Sequence, residues 1–265
     1  MKNIIMIILL ILIGLFVLVA LFFYTKQESI LFHPTKTAKE FQYKFPANFK
    51  EKYYYTPNDG VIHSLHFKAP ESKGILFYLH GNAGSLEDWG WVYQQYTSRG
   101  FDVEIIDFRT YGKSMGKLSE ENMHNDVAYV YDKLKEKYPE NKIIIHGRSL
   151  GTGLAATVAA KNKPKALFLE TPYYNIVDMA KRMVPFLPVS LMLKYHFKSN
   201  ESVKNVTAPI YILHGTADNV VPYASGKKLY DSISEKATML TFENGTHSNL
   251  ATFEKYQKFL DEVLM

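Results

Sequence analysis

The chain has 265 residues, of which 22% are charged and 14% are aromatic, and it contains no cysteine. This length fits one large domain, and this composition excludes a disordered chain. The lack of cysteine excludes a disulfide framework, a thiolate metal site and a cysteine nucleophile. The formal net charge is +5. Because acidic residues are interspersed among the lysines, we predict a basic surface and no nucleic-acid partner.

The first predicted element is an apolar helix near the N-terminus. Residues 4–23 contain nineteen apolar residues and one glycine. At about 1.5 Å per residue they would form a helix of roughly 30 Å, which matches the hydrocarbon core of a bilayer. Tyr24 and the charged residues after it suit the membrane interface. We therefore predict a single transmembrane anchor at 1–24, with the rest of the chain outside the cytoplasm. The alternative, a cleaved signal peptide, usually has a shorter apolar region of about 7–15 residues.

The rest of the chain divides into a linker and one domain. Residues 25–50 carry Pro34 and Pro46 between short aromatic pieces, and we predict a linker that packs onto the domain at 51–265. Segments 52–56 and 61–68 flank the turn sequence Pro57-Asn58-Asp59-Gly60 and predict an antiparallel hairpin.

Short apolar runs then alternate with helical segments. Runs without polar alternation are typical of parallel strands covered on both faces, and they occur at 75–79, 103–106, 143–145, 166–169, 210–213 and 239–242. Helices are predicted at 86–99, 119–138, 150–161, 224–234 and from 249 to the C-terminus. This alternation predicts a mostly parallel, doubly wound α/β sheet, in which ligands bind at the carboxyl ends of the strands.

One strand end carries a candidate nucleophile. The third apolar run leads directly into Gly147-Arg148-Ser149-Leu150-Gly151, and a helical stretch follows at once. This is the G-x-S-x-G pattern in a strand, turn and helix context, in which a strained turn holds the serine hydroxyl clear of the sheet. The glycines are needed because flanking side chains would clash in such a turn. We predict Ser149 as the nucleophile and the Leu150 backbone N–H as one donor of an oxyanion hole.

A serine hydroxyl needs a base and a group that orients the base. Two later strand ends supply them, because Asp218 follows the run at 210–213 and His247 follows the run at 239–242. Ser149, Asp218 and His247 thus follow the serine, acid, histidine order of α/β-hydrolases. Glu170, at the end of the run at 166–169, is an alternative acid. We prefer Asp218, because its short side chain lies on a loop that faces the histidine loop, and we predict a structural role for Glu170.

The second oxyanion donor should follow an earlier strand. The run at 75–79 ends in His80-Gly81-Asn82-Ala83-Gly84, whose small residues allow the backbone to approach a substrate oxygen closely. We predict the Asn82 N–H as this donor, together with Leu150. The alternative is a glycine turn without a catalytic role.

The regular alternation breaks at residues 172–208. This insertion is rich in methionine, leucine and aromatic residues, and it follows the strand after the predicted nucleophile helix. Flexible apolar side chains can line an acyl pocket, so we predict a lid; the alternative is a cover for the sheet edge.

Taken together, these motifs resemble an α/β-hydrolase. The Asn82 loop, the segment 107–114, the serine pentapeptide, the Asp218 loop and the late His247 carry the resemblance. They are most similar to a membrane-anchored branch that includes bud-emergence-type hydrolases, protein depalmitoylases and serine aminopeptidase-like proteins. The resemblance implies the triad and oxyanion hole predicted above, and it implies bracing roles for Asp107 and Arg109.

The predicted function is hydrolysis of a carboxylic ester or thioester through an acyl-enzyme. The partners would be a small ester, a thioester or an acylated substrate and, through the N-terminal helix, a membrane. No metal or cofactor is predicted, and the oligomeric state is left open. The alternatives are a peptidase of the aminopeptidase type, with Asp178 or Glu201 as the anchor for a substrate amine, and a non-catalytic binding module.

Overall fold

The described residues, 1–264 of the computed structural model, comprise a long N-terminal helix followed by a mixed sheet with helices on both faces. The strands are β1 (His33–Pro34), β2 (Phe49–Thr56), β3 (Gly60–Phe67), β4 (Gly74–Leu79), β5 (Ala83–Gly84), β6 (Phe101–Ile106), β7 (Ile143–Arg148), β8 (Ala166–Glu170), β9 (Ile210–Gly215) and β10 (Ala237–Phe242). The helices are α1 (Lys2–Leu31), α2 (Leu86–Trp89), α3 (Tyr93–Thr97), α4 (Glu120–Lys135), α5 (Gly151–Ala160), α6 (Ile176–Met183), α7 (Val189–Met192), α8 (Ser199–Ser202), α9 (Tyr223–Asp231) and α10 (Glu254–Leu264).

Eight strands form the main sheet in the order β10-β9-β8-β7-β4-β6-β3-β2. The pairs from β10 to β6 are parallel, and β3 and β2 continue the sheet in antiparallel pairing. The predicted hairpin is present, with Thr56 opposite Gly60 at its turn. All six predicted apolar runs are strands of this sheet, which confirms the mostly parallel α/β architecture.

The core lies on both faces of the sheet, as the continuous apolar runs predict. In β4, Ile75, Phe77 and Leu79 pack into the cluster that contains residues of α4 and α5. Leu76 and Tyr78 point to the opposite face, where the cluster contains residues of α3 and α10. Successive side chains of a strand alternate between faces, so a strand buried on both sides is apolar throughout.

Two local predictions were wrong. The helix predicted at 86–99 is divided into α2 and α3 by a 3₁₀ turn that begins at Gly90. Gly90 lies against the ring of Phe45, where a Cβ atom would come within 2.4 Å of the ring. The C-terminal helix begins at Glu254 rather than at 249. The segment predicted as a linker contains the short strand β1, which pairs with β5.

The N-terminal helix differs from the predicted anchor in where it ends. α1 continues through the polar residues after Tyr24 and ends at Leu31, so the first part of the predicted linker is helical. These polar residues include good helix formers, and two of them accept hydrogen bonds from residues of the insertion at 172–208, which is the predicted lid. Among the described residues, α1 is the one helix long and apolar enough to cross a membrane.

Candidate active site

The predicted nucleophile lies at a sharp turn between β7 and α5. Ser149 has a backbone φ of +48°, in the left-handed region that a serine rarely adopts. The glycines on either side allow this turn. A Cβ atom on Gly147 would lie 2.5 Å from the Gly151 carbonyl oxygen, and one on Gly151 would lie 2.1 Å from the Leu79 carbonyl oxygen. The turn therefore places Ser149 at the carboxyl end of the sheet, beside the N-terminus of α5.

The predicted acid and base are in contact. His247 Nδ1 lies 2.8 Å from Asp218 Oδ2. Since an ionised carboxylate only accepts hydrogen bonds, Nδ1 donates the proton and Nε2 is left as the free base. The other carboxylate oxygen, Oδ1, accepts the backbone N–H groups of Val220 and Val221, both at 2.9 Å. These bonds fix the orientation of the carboxylate towards the imidazole.

The Asp218 carboxylate is held in its ionised form. Burial alone would raise its pKa, but hydrogen bonds from His214 and His247, the positive charge available on His247 and the Val221 N–H hold the pKa well below its ordinary value. An ionised Asp218 can stabilise the imidazolium that forms when His247 takes up a proton.

The histidine and serine loops are joined through Arg148. Its Nη2 donates to the His247 backbone oxygen at 3.0 Å, and its guanidinium stacks on the Trp89 ring at 5.0 Å from the ring centroid. Within residues 1–264, Ser149 Oγ makes no direct hydrogen bond to His247. Catalytic hydrogen bonds are commonly longer in a free enzyme than in its substrate complex.

Asn82 and Leu150, whose backbone amides are the predicted oxyanion donors, line the same pocket as Ser149. Asn82, Ser149 and Leu150 line one cavity of about 160 Å³. Within the described chain, the N–H groups of Asn82 and Leu150 donate to no backbone or side-chain acceptor, so both are free to bind a substrate oxygen. A Cβ atom on Gly81 would lie 3.7 Å from Ser149 Cβ, which shows how close this loop comes to the serine. This geometry suits an oxyanion hole.

The segment after α1 holds the Asn82 loop in place. His33 N–H donates to the Asn82 oxygen at 2.8 Å, and the Tyr111 hydroxyl donates to the same oxygen at 2.8 Å. The Asn82 side-chain amide donates to the Leu31 oxygen at 3.2 Å. The end of α1 is therefore connected directly to a candidate oxyanion donor. The sequence did not indicate this contact, because it depends on the pairing of β1 with β5.

Glu170 lies at the neighbouring strand end and is engaged elsewhere. Its carboxylate accepts a hydrogen bond from Tyr256 at 2.9 Å and lies 3.2 Å from His146 Nε2 and 3.4 Å from Arg148 Nε. Burial would raise its pKa, but the Arg148 charge and the bonds from His146 and Tyr256 lower the pKa to about 2. Glu170 thus anchors the strand end rather than binding His247.

The two residues that match bracing positions of the family contact neighbouring segments. Asp107 Oδ1 accepts the Leu86 N–H at 3.1 Å at the start of α2. Burial raises the pKa of Asp107 to about 6. Arg109 pairs with Asp126 of α4 at 2.6 Å and donates to the Asn58 oxygen in the hairpin turn at 2.9 Å. Both residues therefore support the strand ends around the site.

Most of the chain matches a known family model. The family model described as "Serine aminopeptidase, S33" matches residues 70–200 and 190–255. This chain belongs to that family of α/β-hydrolases. The family assignment confirms the predicted superfamily and fold. Within residues 1–264 of this S33-family chain, no three histidine, aspartate or glutamate side chains are grouped closely enough to hold a metal ion.

Known proteins are similar to this chain in sequence, and a solved structure is similar to it in fold. The lysophosphatidylserine lipase ABHD12 of Danio rerio is 34% identical over 63% of this chain and 49% of its own, and that of Mus musculus is 30% identical over 77% and 62%. The chain therefore spans about half to three fifths of these relatives. An esterase from Pyrococcus furiosus has the same fold, with a TM-score of 0.69, 19% identity, and coverage of 88% of this chain and 96% of its own.

Proposed function

We propose that this protein is a serine hydrolase that cleaves carboxylic esters through an acyl-enzyme. One observation carries the proposal: a serine in a strained turn after β7 shares the carboxyl edge of the sheet with a histidine whose Nδ1 is bound by an ionised aspartate. Relatives that are a lipase and an esterase support an ester as the substrate. We assign Ser149 as nucleophile, His247 as base and Asp218 as the orienting acid.

The proposed reaction follows from this arrangement. Ser149 Oγ attacks the acyl carbon while His247 Nε2 takes the hydroxyl proton. The carbonyl oxygen becomes an oxyanion that the N–H groups of Asn82 and Leu150 bind. The histidine then gives its proton to the departing alcohol, and a water molecule releases the acid from the acyl-enzyme by the reverse steps. A thioester is cleaved by the same steps with a thiol as the leaving group, so we include thioesters in the substrate class.

The peptidase alternative lacks a suitable anchor for a substrate amine. Asp178 pairs with Lys228 at 2.6 Å and lies 3.6 Å from Arg182 Nε. Glu201 is exposed and lies 3.3 Å from the Lys198 amine. Cations already neutralise both carboxylates, so they are poorly suited to bind a free amino terminus. These contacts favour esterase over aminopeptidase activity.

A fluorophosphonate probe tests the catalytic proposal directly. The full-length protein should be labelled on Ser149 and should hydrolyse p-nitrophenyl esters, and Ser149→Ala should abolish both. The matched control is Ser248→Ala, which removes an exposed hydroxyl next to His247 and should retain labelling. An unlabelled wild type, beside a labelled control hydrolase, would support the non-catalytic binding module. Faster cleavage of an aminoacyl-anilide than of any ester would support the peptidase.

We also propose residues 4–23 as the membrane span, with a catalytic domain outside the cytoplasm. The amino terminus and Lys2 precede the span. Lys26 follows it directly, and Lys36 and Lys39 lie further along in the segment that packs onto the domain, where Lys36 bonds to Ser114. Counted over the residues that flank the span directly, the positive-inside rule favours a cytoplasmic N-terminus. Protease added to intact cells should digest the domain; full protection until the membrane is broken would reverse the orientation.

A further inference from the structure

The last turns of α1 form one wall of an apolar cavity, and the lid forms the other. Phe23, Tyr24 and Leu31 line it from α1, and Met179, Met192 and Leu193 are among the residues that line it from the lid. The Gln27 amide and the Tyr24 hydroxyl are the two polar groups among these side chains, and the other lining residues are apolar. The cavity is therefore suited to an apolar group.

Hydrogen bonds fix α1 to the lid beside this cavity. Gln27 is 5% exposed, and its side-chain oxygen accepts the Lys194 N–H at 2.7 Å while its amide donates to the Met192 oxygen at 3.3 Å. The Tyr195 hydroxyl donates to the Glu28 carboxylate at 2.9 Å. A buried amide satisfied on both sides holds the two elements in one arrangement. The end of the anchor is thus a structural part of the domain rather than a free tether.

The cavity adjoins the pocket at Ser149. Ile30 and Leu31 of α1, and Ile176, Met179 and Met183 of the lid, line both spaces. These shared apolar side chains mark a path from the candidate nucleophile, between α1 and the lid, to Phe23 and Tyr24. Tyr24 lies at the predicted membrane interface. At about 1.5 Å per residue, the helix between Tyr24 and Leu31 covers roughly 10 Å of this path.

The volumes of the two cavities favour a single acyl chain as the occupant. The pocket at Ser149 has a volume of about 160 Å³, and the cavity along α1 has a volume of about 90 Å³. A cavity of roughly 150 Å³ accommodates benzene, so the first space holds a short acyl group and the second must widen slightly for a longer one. Methionine side chains such as Met179 and Met183 can move aside at low cost.

The outer side of the lid also suits contact with a bilayer. Phe186 is 62% exposed and Leu191 is 87% exposed, and each directly precedes a residue that lines the cavity, Leu187 and Met192. Large apolar side chains exposed beside a membrane anchor would insert at the lipid interface.

From these observations we propose that the cavity between α1 and the lid is the acyl-chain site. The membrane anchor then does more than tether the enzyme, because its last turns form part of the substrate-binding wall. The occupant is a single unbranched acyl chain that arrives from the bilayer spanned by α1. This inference rests on the proposed ester hydrolase function, with the acyl carbonyl at Ser149.

Filling the cavity tests this site by activity. Ala180 lines the cavity along α1 but not the pocket at Ser149, so Ala180→Trp should fill that cavity and leave the pocket open. In the full-length protein, kcat/KM for p-nitrophenyl hexadecanoate should fall by about thirtyfold, the loss expected when roughly two to three methylene groups lose their burial. The rate for the butanoate ester should stay within about twofold. Ser190→Trp, at an exposed lid position, is the matched control. An equal fall for both esters, or no fall, would overturn the proposal.

Photo-crosslinking tests the site without catalysis. Hexadecanoic acid with a diazirine at its terminal carbon is added to wild-type protein and to Ser149→Ala in lipid nanodiscs. Crosslinks should map to Phe23, Tyr24 or Met192, and Ala180→Trp should reduce them. Crosslinks confined to Val220 and Val221, at the Ser149 pocket, would overturn the inference even if esters are cleaved. Crosslinks at α1 without any ester hydrolysis would sustain the cavity and refute the proposed function.

Discussion

Two carboxylates lie at the ends of neighbouring strands, and the structure gives them different surroundings. Glu170 ends β8 and is enclosed by Arg148, His146 and Tyr256. Asp218 follows β9 and presents one oxygen to His247, which is half-buried. Both carboxylates have a lowered pKa and are therefore ionised at neutral pH.

The comparison shows that ionisation and position do not by themselves assign a catalytic role. The oxygens of Glu170 lie against Arg148 and His146 and accept a hydrogen bond from Tyr256, which leaves none for His247. Asp218 uses one oxygen for the amides of its own loop and turns the other, which also lies 3.3 Å from His214 Nε2, towards His247. What differs is the group that each carboxylate binds, which is the buried Tyr256 for Glu170 and the half-buried His247 for Asp218.

The largest expected effect is on catalysis through Asp218. In Asp218→Asn the side-chain oxygen can still accept the Val220 and Val221 N–H groups, so the loop should keep its shape. The amide NH₂ would then face His247 Nδ1 and favour the tautomer with its proton on Nε2, which cannot accept the serine proton. We expect kcat for p-nitrophenyl butanoate to fall by about 10³- to 10⁴-fold.

Glu243→Gln is the matched control for Asp218→Asn. Glu243 is an exposed carboxylate in the loop that leads to His247, and its removal should change kcat by less than about twofold. If Asp218→Asn retained activity while Glu170→Gln lost it, the roles of the two carboxylates would be exchanged.

The next largest effect is on stability through Glu170. Glu170→Gln leaves the Arg148 guanidinium without its buried counter-charge, and breaking such a pair costs about 3–5 kcal/mol of unfolding free energy. Urea unfolding of the purified protein measures this loss. Combining it with Arg148→Met should recover part of the stability, because the unpaired charge is removed. Below the unfolding transition, kcat of Glu170→Gln should stay within about tenfold of wild type; a catalytic acid would show the far larger loss.

The stability that Glu170 contributes should depend on pH in the acid range. The native pKa of Glu170 is about 2, below its ordinary value of 4.5. A lowered native pKa stabilises the fold above the unfolded pKa, and this contribution is lost as the pH falls from about 4.5 to about 2. The difference in unfolding free energy between wild type and Glu170→Gln should therefore shrink by at most about 3 kcal/mol across this range. A difference that is constant with pH would show that the native fold does not lower the pKa of Glu170.

The smallest expected effect is on catalysis through Arg148, which contacts both Glu170 and the His247 loop. Its guanidinium reaches Glu170, stacks on Trp89 and donates to the His247 oxygen. Lysine cannot make all three contacts, so Arg148→Lys should loosen the histidine loop and lower kcat by about tenfold with little change in KM. Arg99→Lys, which alters an ion pair with exposed Asp261, should leave kcat unchanged. An unchanged kcat in Arg148→Lys would show that Arg148 does not couple the surroundings of Glu170 to the His247 loop.

The sequence alone predicted features that depend on local chemistry. The buried strands were recognisable because a strand covered on both faces is apolar throughout, and the anchor was recognisable from one long apolar segment. The turn at Ser149 was predictable because the glycines that it requires are adjacent to it in the chain. The positions of Asp218 and His247 followed from the strands that precede them.

Only the tertiary structure decided the features that depend on distant pairs. The contacts of Glu170 with Tyr256, and of Arg148 with Trp89 and the His247 oxygen, join segments far apart in sequence. The end of α1 likewise depends on the lid, which binds Gln27 through its backbone. A sequence pattern reports the preference of each segment, whereas the partner that satisfies a buried polar group is set by packing, and that partner distinguishes a structural carboxylate from a candidate catalytic one.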